Sequence, residues 1–150
     1  MAWYTQRWGI EVFHRTLKSG CRVEDRQLGH GERLQACLAI DMVVAWRIHH
    51  MTKLGREVPD LPADVIFDQD ECRVLVAYET KKNGKKKAHK QQRQVPDATA
   101  LTLREAIRMI AKLGGFLGRK SDGEPGTETL WRGLLRLDGM TEGWRLARGP

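Results

Sequence analysis

Thr102-Leu-Arg-Glu-Ala-Ile-Arg-Met-Ile-Ala-Lys-Leu-Gly-Gly115 is the stretch whose reading decides the fold. Thr102 followed three residues later by Glu105 is a capping-box pattern, in which each side chain satisfies the other residue's backbone N–H. Leu103, Ala106, Ile107, Ile110, Ala111 and Leu113 then recur at helical spacing on one face, and Gly114-Gly115 supplies the stop. Working outward, the same punctuation repeats. Asp68-Gln-Asp-Glu71 forms a second capping box that predicts a helix to about Lys82. Val74-Leu-Val-Ala-Tyr78 inside it fits a strand as well as a helix, and periodicity alone does not choose. Upstream, residues 2–19 follow a helical period up to Gly20, and residues 20–31 read as a loop. A long helix is expected from about Glu32 to Leu54, closed by Gly55, with Pro59 and Pro62 marking a linker. Residues 81–96 read as a Lys/Gln-rich loop around Gly84. Downstream, residues 118–127 hold four glycines or prolines and form a loop before a last helix from about Thr127 to Ala147. In that helix Leu130, Leu134, Leu137, Thr141 and Trp144 repeat in a heptad-like 4-3-4-3 spacing. The expected architecture is all-α, with about five helices and no internal repeats.

The chain has 150 residues, the length of one domain. Lys and Arg total 26 against 19 Asp and Glu, a formal charge of +7, which favours a polyanionic partner. No run reaches the ~20 apolar residues of a membrane span and no signal peptide opens the chain, so a soluble cytoplasmic protein with no membrane partner is expected. Cys21, Cys37 and Cys72 are widely spaced without a C-x-x-C. They suit neither a disulfide framework nor a zinc site and read as reduced thiols.

The first helix carries the candidate chemistry. At ~100° per residue, Tyr4, Arg7, Glu11 and Lys18 fall within roughly 60° of one another, with His14 close by. Ile10, Phe13 and Leu17 lie opposite and are expected to pack into a core. One carboxylate flanked by two cations and a phenol suits phosphate oxygens and a hard divalent ion. The same residues also read as a solvated helix face whose Arg7–Glu11 pair adds a few tenths of a kcal/mol at most.

Tyr4-x-x-Arg7-x-x-x-Glu11-x-x-x-x-x-x-Lys18 resembles the Y-(2)-R-(3)-E-(6)-K signature of bacterial DDE transposases of the insertion-sequence-four / transposon-five type. Trp8, Ile10, Phe13 and His14 fit the surrounding run, and the likeness continues through Ala111-Lys-Leu-Gly-Gly-Phe-Leu-Gly118, Leu130-Trp131 and Gly143-Trp144. The resemblance implies cut-and-paste DNA transposition, with two aspartates and one glutamate on a ribonuclease-H-like fold holding two Mg or Mn ions. On that basis Glu11 is the third metal-binding carboxylate, and Tyr4, Arg7 and Lys18 hold transposon-end DNA phosphates. Residues 1–20 are then the closing helix of a catalytic domain otherwise absent, and 21–150 a helical C-terminal region whose dimerisation part is about 97–150. Nine aspartates are present, but none matches the family's two, so the chain is expected to be a C-terminal fragment, inactive alone and binding no metal tightly. The alternative is a non-catalytic helical DNA-binding or dimerisation module, or an inhibitor of the full-length enzyme through mixed dimers. A decayed reading frame is the third option.

Other features divide between two readings. Lys81, Lys82, Lys85, Lys86, Lys87 and Lys90 either track a DNA backbone or form a solvated loop. His49 and His50 are adjacent and cannot share one metal from a helix. Asp41 sits on an apolar helix face, where an arginine partner is expected. Leu130, Leu134, Leu137 and Trp144 either complete the chain's own core or meet a second copy in a homodimer.

Overall fold

The computed structural model describes residues 2–86, 100–119 and 121–149. They form five α-helices: α1 (Ala2–Arg15), α2 (Gly31–Glu57), α3 (Gln69–Lys86), α4 (Leu103–Leu113) and α5 (Thr127–Arg148). No strand occurs among the described residues; an isolated antiparallel bridge joins Pro62 to Thr102. Its Ala63 N–H donates to Leu101 O at 2.9 Å and its Leu103 N–H to Leu61 O at 2.7 Å. The proline linker is thereby fastened to the start of α4. The all-α architecture expected from the pattern is the one observed.

Both capping boxes form. Glu105 N–H donates to Thr102 Oγ1 at 3.4 Å and Thr102 N–H to Glu105 Oε2 at 3.1 Å. At α3, Glu71 N–H donates to Asp68 Oδ1 at 2.8 Å and Asp68 N–H to Glu71 Oε2 at 2.9 Å. Val74-Leu-Val-Ala-Tyr78 is helical, because the cap starts a helix whose Val74 and Leu75 then bury against α4 and α5.

The core is built around α4, whose Leu103, Ala106, Ile110 and Ala111 are fully buried. Phe67, Ile48, Met51, Leu75, Leu130 and Leu137 close around it from the linker, α2, α3 and α5. Side chains of this size stabilise by about 1.5–3 kcal/mol each on burial. Two glycines set the α4–α5 distance. A Cβ at Gly133 would collide with the Ile110 carbonyl of α4, and one at Gly114 with the Thr129 carbonyl of α5. The helices therefore touch backbone to backbone, and Gly133 is a packing requirement rather than a weak point in α5. Arg136 completes the seam by donating to the Leu113 carbonyl at the end of α4, one of the acceptors a helix terminus leaves open.

Several sequence expectations change. The second helix does not stop at Gly55 but runs to Glu57; a Cβ at Gly55 would meet the end of the Ile107 side chain. The third runs through Lys81–Lys86, so this part of the expected loop is helix: lysines are good helix formers, and one glycine at ~1 kcal/mol does not end it. Ile10, expected in a core, is 58% exposed, and Phe13 and Leu17 are half-buried, since α2 and a following turn are the main elements α1 packs on. After Arg15 the chain takes a π-helical turn over Thr16–Gly20, with Cys21 N–H bonded to Thr16 O at 3.2 Å.

Ion pairs lace the helices together. Arg47 of α2 donates to both oxygens of Glu71 at 2.9 and 3.1 Å while lying 5.5 Å over the Phe67 ring. Lys112 of α4 reaches Glu79 of α3 at 2.6 Å. At the far end of α5, Arg145 bonds Asp68 at 2.6 Å and Asp70 at 3.2 Å, with Arg148 3.7 Å from Asp70. Burial pushes the Asp68 carboxyl up, but the Glu71 N–H and the Arg145 guanidinium more than offset it and hold it below the usual carboxylate range. A depressed carboxylate contributes stability above its unfolded value and loses it as pH falls through the folded one. The α5 end should therefore keep its amide protection down to about pH 4 and lose it below that. Hydrogen exchange along α5 from pH 6 to 3 checks this; uniform protection across that range would exclude the clamp.

Candidate functional site

The structure sorts the sequence candidates by what surrounds them. Tyr4 and Arg7 lie on the α1 backbone; their side chains are outside the described residues. Glu11, on the same helix, is exposed. Lys18 sits in the π-helical turn and pairs with Glu24 at 2.8 Å, which raises its pKa chiefly through that hydrogen bond. An i→i+5 turn winds less per residue than an α-helix, so it carries Lys18 off the straight line drawn through Tyr4, Arg7 and Glu11. Among the described residues, no three His, Cys, Asp or Glu side chains come together as a metal cluster.

Lys81 and Lys82 stand on the last part of α3, with the Lys82 ammonium 5.8 Å from the Tyr78 ring centre. Lys85 and Lys86 continue the helical backbone, and Lys87 and Lys90 lie outside the described residues. Asp41 has the arginine partner expected of it: Arg26 donates to Oδ1 at 2.7 Å, and the Asp41 side chain is only 4% exposed. Cys21 and Cys72 are buried free thiols, pushed up to about 11 by burial first and by nearby carboxylates second. They remain protonated at neutral pH. His50 stacks on Trp46 at 4.8 Å, and burial lowers the His49 pKa ahead of Lys53 and His50.

The four residues of the last-helix seam separate. Leu130 and Leu137 are fully buried and Leu134 nearly so, all within this chain's own core. They belong to the intrachain packing, because the backbone contact at Gly133 draws that face of α5 onto α4. Trp144 alone of the four keeps surface, at 38%.

The opposite face of α5 was missed by the heptad reading. Leu135, Gly139, Glu142 and Leu146 share it at i, i+4, i+7 and i+11. Leu135 is 54% and Leu146 77% exposed, and nothing lies within 4 Å of a Cβ built at Gly139 or Gly143. The strip thus carries two exposed leucines, a flat glycine centre and one charge, Glu142. A second stripe at helical spacing was its only signal in the sequence. α2 also presents an apolar outer face, formed by Leu38, Ile40, Met42, Val43 and Trp46. Contiguous exposed apolar surface of this kind marks contact sites.

No helix among the described residues is long and apolar enough to cross a membrane. The family described as the Transposase Tn5 dimerisation domain matches residues 43–150.

Proposed function

As the chain belongs to the Tn5 transposase dimerisation-domain family, we propose that it pairs with a second copy through the outer face of α5. The observation that carries this is the exposure of Leu135 and Leu146 on either side of Gly139 and Gly143. Two such strips brought face to face bury four leucines, and the glycines let the helix backbones approach. All of α5 lies inside the matched span, whereas the α2 face begins at Leu38, ahead of residue 43.

A cysteine placed at Gly139 tests the geometry. Two-fold packing repeats one patch on both copies, so Gly139→Cys should form an intermolecular disulfide under mild oxidation far faster than a cysteine at exposed Asp60. Equal rates at the two positions would overturn the α5 assignment.

We propose that Tyr4, Arg7 and Lys18 contact transposon-end phosphates beside Glu11, the family's third metal-binding carboxylate, and that Lys81–Lys90 adds backbone contacts. The Lys18–Glu24 pair is no obstacle: both groups are more than half exposed, and such pairs are worth at most ~1 kcal/mol, so Lys18 exchanges Glu24 for a phosphate readily. The divalent ions the family implies need a cluster of carboxylates. Glu11 is one carboxylate without such a cluster among the described residues, so these residues do not suffice for a two-metal centre.

A further inference from the structure

A cleft away from α1 collects three arginines. Arg56 of α2 and Arg104 and Arg108 of α4 line it, together with Thr52, Glu124, Pro125 and an apolar floor of Ile107 and Leu130. Arg104 and Arg108 are four residues apart on one helix face, where like charges repel and destabilise the helix. The single acid, Glu124, approaches only Arg104, at 3.8 Å and in an exposed setting. Arg56 and Arg108 have no carboxylate within ion-pair distance among the described residues. Several other helix arginines are matched by acids, as at Arg47–Glu71 and Arg145–Asp68, while, among the described residues, Arg15 and Arg33 are not.

The remaining charge therefore asks for an external anion. Guanidinium groups match a tetrahedral phosphate by paired, charge-assisted hydrogen bonds, and an apolar floor weakens the competing hydration. The start of α5 opens onto the same rim. Its N-cap is Gly126, which offers no side-chain cap, just after the cleft residue Pro125. The cleft is shallow and open to solvent, which suits one phosphate of a long backbone rather than an enclosed small ligand.

We infer that Arg56, Arg104 and Arg108 grip a backbone phosphate of duplex DNA in this cleft. The inference rests on the reading of the chain as part of a DNA-acting protein but not on its dimer. Loss of self-association leaves the following test intact, and failure of the test leaves the α5 face untouched.

The measurement is fluorescence anisotropy of a labelled duplex against the full chain over a salt series. The Arg104→Gln/Arg108→Gln variant should bind about tenfold more weakly and should flatten the slope of log K against log salt by about one. Arg56→Gln, on a different helix, should act in the same direction, which keeps the test decisive if the double variant folds poorly by circular dichroism. Arg33→Gln/Lys53→Gln removes the same formal charge elsewhere and should lose much less. Three results would overturn the inference: unchanged affinity in both cleft variants, an equal loss in the Arg33/Lys53 control, or loss of pyrophosphate binding with duplex affinity intact. The last would make the cleft a free-anion site.

Discussion

Gly133→Val should remove about 3 kcal/mol or more of stability, enough to lower Tm by roughly 10 °C in a chain of this size. The first carbon of any side chain at this position meets the Ile110 carbonyl and Ile110 Cγ2. Backbone atoms of a packed helix cannot swing aside as a flexible side-chain end would. α4 and α5 must then separate along their whole contact, and Leu130, Ile110 and Leu137, all fully buried, lose packing together. Gly9→Ala, inside α1, is the matched control, since open space surrounds that position. It should gain up to about 1 kcal/mol from helix propensity alone. Thermal melts of both variants at one fixed protein concentration compare them, because self-association would otherwise shift Tm. Equal stability of Gly133→Val and the parent would mean that the helices do not touch as described.

Arg26→Met should cost about 2–3 kcal/mol, toward the lower end of what an uncompensated buried charge costs because Arg26 itself is one-third exposed. Asp41 Oδ2 already lacks a hydrogen-bond partner among the described residues, so Arg26 is what holds the carboxylate in place. Cys37 Sγ accepts from the same guanidinium, and Cys21 donates weakly to the Asp41 backbone carbonyl at 3.6 Å. Removing both partners of the pair has the opposite character. Arg26→Met/Asp41→Leu should recover most of the loss, since an apolar pair of similar volume commonly replaces a buried ion pair without penalty. Urea unfolding of the two single variants and the double variant measures the coupling between them. A double variant as unstable as Arg26→Met would show that Asp41 has a role beyond its arginine.

Features governed by a few neighbouring residues were legible in the sequence. The capping boxes at Asp68 and Thr102 and the apolar stripe of α4 are local patterns, and they form as read. The need of Asp41 for an arginine followed from burial alone, although Arg26 was identifiable only once the loop before α2 had folded against it. Features set by helix-to-helix distance were not legible. A glycine inside a helix looks the same in sequence whether it merely weakens the helix or admits a neighbour's backbone. Gly55 looks like a stop although α2 runs through it, and Gly133 looks no different from Gly139 although only Gly133 has a neighbour's backbone against it. The heptad seam of α5 identified an apolar face correctly but could not say which partner covers it. α4 takes that face, and Leu135 and Leu146 stay exposed on the opposite one. The pairing of Lys18 with Glu24 arises from the π-helical turn, which no straight helical wheel contains.

The pairing proposed for the outer face of α5 is a property of the chain in solution. Its most direct test is the mass in solution by light scattering, for the parent chain and for Leu135→Glu/Leu146→Glu, whose altered positions are exposed and should leave the fold intact. The parent should give twice the 17.1 kDa of one chain at high concentration, and the variant a single-chain mass with an unchanged helical spectrum. A parent that stays at one chain mass at every concentration would contradict the account, as would a variant that remains dimeric while Trp46→Glu on the α2 face dissociates.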